Sequence, residues 1–465
     1  MAHISQNSTS DHGTSNGVTS DLFRRHSKTG NLFKVSALVL AILFVLGIVG
    51  FILRISSDGT SNNDKWGYYA AVFAFILTTA QGAPMVAIAP RIVKAHWRRS
   101  TSRAAELWAL SGFISTLVFV PLILVLPGLE DGRRSFWFYH EGEVARYIPH
   151  YVGALSVVAM AIAGLFLLWV SSLPDLAYIR DHGTGWRQKW AKVFARGWQG
   201  TSWQWFMVNH RMGILGAFYF MMLVFTHFVI VADFLMPFVP GWIDALFPAT
   251  HAFNALQGGV ATVLVTLFVM RKFGGYSDFI QFDQMWGLGK LLLATSLLWI
   301  WFSFSSFMIF WFGKKPNELY TLDLLMTGPY LWLFVAVFIL VFIVPFFTLI
   351  WNPVRRSTWG PPLIACFVLV GTLFDRVRLY VAAYSVPADA DMHGPIPLDL
   401  VPAAVYPDVF DILITIGVIA GAVLIYMLGT RLIPVINVWE QRELLIYQVH
   451  KQFHRTEVQV LGKPE

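Results

Sequence analysis

Long uninterrupted apolar runs are the feature of this sequence that most constrains its fold. Runs of 18 or more apolar residues recur along the 465-residue chain, and such a run crosses ~30 Å of hydrocarbon. Only 13% of the residues are charged, against about 25% in soluble domains, and buried helices of a soluble protein do not account for so many long runs. The sequence therefore predicts an all-α polytopic membrane protein of about ten spans, at roughly 35–53, 67–90, 105–127, 152–173, 212–236, 251–270, 286–311, 329–351, 360–384 and 409–431.

The distribution of Lys and Arg between the connecting segments predicts the orientation. If the N-terminus is cytoplasmic, the inner segments hold 24 Lys and Arg residues and the outer segments hold seven. Because basic residues are retained on the cytoplasmic side, both termini are expected there. The net charge of +7 then reflects membrane anchoring. No nucleic-acid partner is expected, since aromatic and basic residues interleave only beside the spans.

Polar segments flank the predicted membrane domain, which covers residues 33–431. Residues 1–32 are rich in Ser, Thr, Asn, Gly and His, which is typical of a disordered or partner-bound cytoplasmic tail, and they do not form a signal peptide. Residues 432–465 form a second cytoplasmic tail. Over 182–205, tryptophans interleave with basic residues at helical spacing, which favours an amphipathic helix in the interface plane over an ordinary long loop.

Polar residues within the spans are the candidates for function, because each costs a few kcal/mol near the bilayer centre. One interpretation is a water-assisted proton route, since a neutral buried His titrates near working pH. The other is hydrogen bonding and ion pairing that only stabilise the bundle. We favour it for Asn254 and Gln257 on one face of the sixth span, and for Ser303, Ser305 and Ser306 of the seventh. The candidates for a proton pathway are His227, Asp233, Gln81, Lys290, Ser303, Ser306, Asp375 and Arg376.

The ion pairing within the ninth span has a specific form. Asp375 is followed by Arg376 and Arg378. One carboxylate can neutralise one of the two arginines. A structural ion pair of Asp375 with Arg376 and a functional role for these residues both stay open.

The use of cysteine and histidine predicts that this chain holds no redox centre, metal or catalytic residue of its own. The single cysteine, Cys366, excludes an internal disulfide, a cysteine-ligated iron–sulfur cluster and a thiolate zinc site. A bis-histidine haem needs two histidines at similar depth on facing helices. His251 and most other histidines fall at predicted helix ends or in loops, which leaves His227 alone inside. No HEXXH, P-loop or GxSxG motif occurs.

Four segments carry a resemblance to a known family. They are WRRSTSRAAE at 97–106, LPDLAYIRD at 173–181, the Trp-rich segment before the fifth span, and THFVIVADFLMPFVPGW at 226–242 with Phe247 and Pro248 following. In this order and spacing they resemble the NrfD/PsrC-type membrane subunits of quinone-linked oxidoreductases. The likeness is greatest to the large membrane subunits of alternative complex III, and with the span count it covers nearly the whole chain.

The resemblance implies a fold and an assembly. The fold would be two four-helix bundles, spans two to five and six to nine, with one flanking span at each end. The assembly would lie in the bacterial inner membrane and oxidise quinol. Its partners for this chain would be a sister NrfD-like membrane subunit, a periplasmic iron–sulfur subunit, c-type cytochrome subunits and membrane lipid. Quinol, iron–sulfur clusters and c-type haems are then expected in the complex, and no cofactor in this chain.

Two positions depart from the quinol-binding version of this subunit. That version has a His after Pro-Leu-Ile late in the third span, where this chain has Leu124, and an Asp early in the fourth, where this chain has Gly153. A quinol headgroup needs an imidazole and a carboxylate as hydrogen-bond partners and proton acceptors. Since Leu and Gly supply neither, the chain resembles the F-type paralogue, a non-catalytic subunit that contributes scaffold and a route for protons.

Two other functions stay open at this point. His150 lies close to the expected carboxylate, so a quinol-binding subunit of this complex, or of a molybdopterin or polysulfide oxidoreductase, is the first. A secondary transporter or ion channel is the second. Transporters usually show broken helices at matching positions in their two halves, and Pro84 and Pro90 of the second span have no clear counterpart in the seventh.

The charge asymmetry yields a test of topology. A reporter fused after Glu465 is expected to report a cytoplasmic location, and one inserted near Ala390 a periplasmic location, because an even number of spans separates the termini. Paired alkaline phosphatase and fluorescent-protein fusions measure both. Opposite results at either site would rule out ten spans with this orientation.

Overall fold

The computed structural model describes residues 15–60, 63–126, 143–387, 401–454 and 456–461, and it is helical apart from one terminal hairpin. The first half contains α1 (Ser15–Ser27), α2 (Asn31–Asp58), α3 (Gly67–Thr79), α4 (Met85–Ile92), α5 (Ser102–Glu106), α6 (Gly112–Val125), α7 (Glu143–His182), α8 (Gly185–Phe194) and α9 (Ser202–Phe234).

The second half ends in the hairpin, whose antiparallel strands pair Gln448 with Leu461 and Phe453 with Thr456. Its elements are α10 (Phe247–Phe273), α11 (Phe282–Gly313), α12 (Pro316–Leu322), α13 (Leu331–Phe338), α14 (Val344–Leu349), α15 (Asn352–Arg355), α16 (Gly360–Tyr384), α17 (Val409–Leu432), α18 (Val438–Tyr447), β1 (Gln448–Phe453) and β2 (Thr456–Leu461).

Eight helical segments within the described residues are long and apolar enough to cross a membrane. They confirm a multi-pass helical membrane protein, and each coincides with one of the ten predicted spans. The other two predicted spans differ in a physical way. The span at 67–90 is divided into α3 and α4, and the span at 360–384 is the continuous helix α16, which carries Asp375, Arg376 and Arg378.

The break between α3 and α4 lies in the protein interior, in direct contact with α10. A side chain at Gly82 would overlap the carbonyl oxygen of Ala255, and one at Gly259 would overlap the backbone of Gly82. The hydroxyl of Tyr219 donates a hydrogen bond to the carbonyl of Gln81 at 2.6 Å. Non-helical backbone is tolerated at membrane depth only where protein groups satisfy it, as here.

Two further irregularities have a common cause in proline. The segments 323–327 and 339–343 are π-helical turns. In a regular α-helix the carbonyls of Leu325 and Val341 would accept from residues 329 and 345, but both of these are prolines and have no N–H. Side chains of neighbouring helices donate instead. Arg378 Nη1 lies 2.7 Å from Leu325 O, and Gln257 Nε2 lies 2.9 Å from Val341 O.

The two halves of the chain share a local arrangement near the centre. Gln81 and Gln257 are each followed by glycine. Gln81 Nε2 donates to Ser111 Oγ at 2.8 Å, and Gln257 Nε2 donates to Ser296 Oγ at 2.8 Å. In each case the serine belongs to the next predicted span along the chain.

The helices α2 and α17 form a pair. Their backbones meet at Gly47 and Gly417, where no side chain fits. Arg54 of α2 is buried and binds Asp411 at 2.6 Å and Asp408 at 2.8 Å. Since α1 also packs beside α18, both described chain ends lie on one side of the bundle, which we call the terminal side.

The predicted cytoplasmic tails are structured in their described parts. Residues 15–27 form α1, which buries Val18 and Leu22 and stacks Phe23 on Tyr178 at 4.1 Å; residues 1–14 of the predicted tail lie outside the described residues. The C-terminal segment contains α18, in which Glu440 is fully buried. Both helices carry apolar residues within an otherwise polar segment, and some of these residues are buried against the bundle.

The predicted interfacial helix over 182–205 is shorter in the structure. Only α8, residues 185–194, is a separate helix, because Arg196, Gly197 and Gly200 have positive φ and interrupt it before α9. The tryptophans of this segment do not share one face. Trp186 is 56% exposed, whereas Trp198 is buried and packs edge-to-face on Trp205.

The origin of the π-turn at 339–343 can be tested with a double-mutant cycle. Gln257→Leu is expected to lower the free energy of unfolding by about 1–2 kcal/mol, because the Val341 carbonyl loses its donor. Pro345→Ala restores a backbone N–H, so the same change should cost much less in that background. Thermal unfolding of the four purified proteins measures the coupling. If Gln257→Leu lowers the unfolding free energy equally with and without Pro345→Ala, proline is not the cause of the π-turn.

Candidate functional site

Two imidazoles pack against each other in the interior. His227 of α9 and His251 of α10 are fully buried, and their ring centroids are 5.1 Å apart at an interplanar angle of 52°. His227 Nδ1 lies 2.8 Å from the carbonyl oxygen of Leu223. Because a carbonyl only accepts, Nδ1 carries the proton, and Nε2 of the neutral ring is an acceptor.

The expectation that His227 is the only histidine inside the bundle is therefore wrong. The helix α10 begins at Phe247, but this end does not lie in water. Trp242 packs on Phe247 with ring centroids 4.7 Å apart, and Phe238 stacks on Tyr384 at 4.2 Å. The connection from α9 to α10 thus covers the helix start with aromatic side chains and buries His251 one turn below.

The charged cluster of α16 lies beside His251. Asp375 Oδ1 is 2.7 Å from Arg378 Nη2, and Asp375 Oδ2 is 3.7 Å from Arg376 Nη1. The carboxylate therefore pairs mainly with Arg378, rather than with Arg376 as its nearest sequence neighbour. The hydroxyl of Tyr380, one turn further, lies 3.4 Å from His251 Nε2.

Two small chambers adjoin this cluster. The inner chamber has a volume of about 50 Å³ and is lined by polar groups that include His251, Asn254, Ser303, Ser306, Asp375, Arg376 and Arg378. The outer chamber, about 40 Å³, shares Ser306 and Arg378 with it and reaches Asp244 in the loop before α10. Each has room for water, since ~10–15 Å³ of such space holds one molecule.

The structure brings together five of the eight candidate residues, namely His227, Ser303, Ser306, Asp375 and Arg376. The other three lie elsewhere. Gln81 lies at the break between α3 and α4 and donates to Ser111, and Lys290 is exposed with its Nζ 3.2 Å from the ring centroid of Trp286. Asp233 is buried beside an apolar groove of about 1160 Å³ between α9 and α10. A continuous series of these eight side chains is therefore absent from the described part of the chain.

The residues that sequence reasoning missed are His251 and Tyr380. His251, Asn254 and Gln257 recur at every third position of α10. This spacing places them along one helix face, so the pair Asn254 and Gln257 could have been extended back to His251. Tyr380 had no such signal, because an apolar helix commonly carries a tyrosine.

The two positions compared with a quinol site differ in their surroundings. Leu124 is 69% exposed in the described part of the chain. A side chain at Gly153 would lie 2.9 Å from Phe234 and 3.0 Å from Phe119. A carboxylate at position 153 would therefore have to displace an aromatic ring.

A second polar cluster lies on the terminal side and includes residues of two family-like segments. Arg103, of the segment 97–106, lies 3.3 Å from Glu106 and 3.3 Å from Asp175, of the segment 173–181. Ser171 Oγ donates to Glu106 at 2.5 Å. Arg103 and Glu106 are fully buried and Asp175 nearly so, which means that the network depends on mutual pairing.

The C-terminal helix α18 completes this network. Glu440 Oε1 is 2.9 Å from Arg91 Nη2 and 2.5 Å from Arg98 Nη1, and Glu443 is 3.0 Å from Arg99. Burial by itself raises the pKa of Glu440, but Arg91 and Arg98 outweigh it and hold the pKa at about 2. Glu440 is therefore ionised at neutral pH and fixes α18 to the membrane domain.

The fold and these two clusters define a multi-pass helical membrane protein with a polar interior. No protein-family model matches the chain, and no curated protein does either. Among the described residues, no group of three His, Cys, Asp or Glu side chains is arranged to hold a metal ion. The geometry of the two clusters and the sequence resemblance to NrfD/PsrC-type subunits are therefore the basis for a functional proposal.

The attachment of α18 has a defined pH dependence. The folded pKa of Glu440, about 2, lies below its ordinary value of 4.5, so the stabilisation is complete above pH 4.5 and is lost as the pH falls toward 2. Glu440→Gln should cost about 3 kcal/mol, because Arg91 and Arg98 stay buried without their partner. Limited proteolysis of the C-terminal segment measures both effects.

Glu443→Gln is the matched control, since Glu443 is 34% exposed and its loss should cost less than about 1 kcal/mol. Equal protease sensitivity of the two variants would contradict the central role of Glu440.

Proposed function

We propose that this chain is the large membrane subunit of alternative complex III that lacks its own quinol site, and that it serves as scaffold and as a route for protons. It would span the bacterial inner membrane ten times, with the terminal side in the cytoplasm. The broken helix α3–α4 and the charged helix α16 would be the second and ninth spans. Quinol oxidation, iron–sulfur clusters and c-type haems would belong to the partner subunits.

The bundle arrangement is supported by contacts that repeat in the two halves. The Gln–Ser hydrogen bonds of 2.8 Å join spans two and three in one half and spans six and seven in the other. The pair α2 and α17 would supply the flanking span at each end. This is the arrangement that the family resemblance implies.

The membership of this family is supported by the terminal-side network. The segments 97–106 and 173–181 were compared with the family for their sequence alone, and they meet through Arg103, Glu106 and Asp175. Two segments chosen only because their sequences resemble the family thus contribute to one buried ion network. A fold shared with the family would account for this. The closed position at Gly153 supports the version without quinol chemistry.

The observation that carries the proton route is the pair His227 and His251 beside a polar, water-sized chamber. Neutral imidazoles both accept and donate protons, and water in the chamber would link them to the outer chamber and Asp244. Toward the terminal side, polar groups continue along α10 to Thr266, about 22 Å further by the helical rise. There Trp108 Nε1 donates to Thr266 Oγ1 at 3.1 Å, two residues from Glu106.

Native purification tests the assembly. The tagged chain is expected to co-purify with c-type haem and iron–sulfur subunits and with quinol oxidation activity. A chain that purifies alone and transports a solute in vesicles would instead be a transporter. Co-purification tests the assembly alone and does not depend on whether protons move through this chain.

The ratio of protons moved to electrons transferred tests the route. In reconstituted vesicles, His227→Gln and His251→Gln are each expected to lower this ratio severalfold while haem content and uncoupled electron transfer stay near wild type, because Gln cannot carry a proton between two neighbours. Lys290→Gln is the control, since Lys290 lies outside the cluster. An unchanged ratio in both assembled histidine variants would assign the pair a structural role.

A further inference from the structure

Counted over the described residues, the walls of the inner chamber carry one more positive than negative charge. Its walls contain two guanidinium groups, Arg376 and Arg378, and one carboxylate, Asp375. All three side chains are at most 6% exposed. An uncompensated charge at this depth is costly, so a partner of opposite sign is expected.

Arg376 is the arginine of this pair that has no close carboxylate contact among the described residues. Arg378 makes two short contacts, with Asp375 at 2.7 Å and with the Leu325 carbonyl at 2.7 Å, and its guanidinium also lies over the ring of Phe334. Arg376 reaches Asp375 only at 3.7 Å. Its Nε and Nη2 are buried and have no hydrogen-bond partner among the described residues.

Other polar atoms of the residues that line the inner chamber are also buried without a hydrogen-bond partner. Ser306 Oγ and His251 Nδ1 are buried and have no hydrogen-bond partner within the described part of the chain. If the Tyr380 hydroxyl donates to His251 Nε2, the neutral ring carries its proton on Nδ1. The chamber then offers N–H and O–H donors from three sides, together with a positive charge.

We propose that the inner chamber binds one small monovalent anion of the chloride class, with Arg376 as its charge partner. The single excess positive charge of the described walls calls for one monovalent anion, and a chamber of about 50 Å³ has room for a small one. Cations are disfavoured by the net positive charge. The outer chamber, which shares Ser306 and Arg378, is the entry path.

Asp244 does not supply the missing negative charge. Of the two small chambers, Asp244 lines the outer one and not the inner one. Its Oδ1 accepts from the backbone N–H groups of Leu246 at 2.8 Å and Phe247 at 3.2 Å. It therefore caps the start of α10, where the helix dipole also favours a carboxylate. This site shares the inner chamber with the proposed proton route, but anion binding can be measured without electron transfer or partner subunits.

Equilibrium binding to the purified full-length protein tests this site. Dialysis against radioactive chloride is expected to show one ion bound per chain, competed by bromide and not by gluconate. The thermal midpoint should rise with chloride concentration at constant ionic strength, since a ligand of the folded state stabilises it. A midpoint that is equal in chloride and gluconate, with no bound isotope, would overturn the proposal.

Three variants locate the ion. Arg376→Gln is expected to weaken binding about tenfold or more, the value typical of losing a charge-assisted contact. Asn254→Asp places a carboxylate in the chamber wall and should remove the chloride dependence while leaving a folded protein. Lys315→Gln, at a 76% exposed lysine, should bind as wild type does. Chloride binding that survives in Asn254→Asp, or that Lys315→Gln weakens equally, would exclude this chamber.

Discussion

At Gly82 and Gly259 the break between α3 and α4 touches α10 backbone to backbone, and the interior is arranged around this contact. In a bilayer core no water satisfies an exposed peptide group, so a helix break survives only where protein groups replace the missing hydrogen bonds. Glycines allow the approach, and Tyr219 supplies the donor. A larger residue at either glycine would separate the two halves of the chain.

The same requirement explains two of the polar side chains in this region. Pro345 leaves the Val341 carbonyl without a backbone donor, and Gln257 of α10 supplies one. Pro329 leaves the Leu325 carbonyl in the same state, and Arg378 of α16 supplies its donor. Gln257 and Arg378 therefore have structural duties. Among the described residues, Arg376, Asn254 and Ser306 keep buried polar atoms without a hydrogen-bond partner.

The sequence predicts the membrane class and most spans well, because long apolar runs have few alternatives. It also places Asp375 near two arginines correctly. The sequence does not predict the surroundings of side chains whose burial depends on tertiary packing. His251 was assigned to a helix end, but an aromatic loop buries that end. Lys290 appeared to lie in a span, yet its side chain reaches the surface over Trp286. Glu440 lies in a polar tail and gave no signal of its buried ion pairs.

The pairing of α2 with α17 has a consequence for biogenesis. The helix α2 packs on α17, which lies more than 300 residues later in the chain, through Gly47 against Gly417 and Arg54 against Asp411. At roughly 5–20 residues per second, synthesis of the intervening chain takes on the order of tens of seconds. During that interval Arg54 has no carboxylate from α17, and α2 must be held by lipid, by the insertion machinery or by a chaperone until α17 is made.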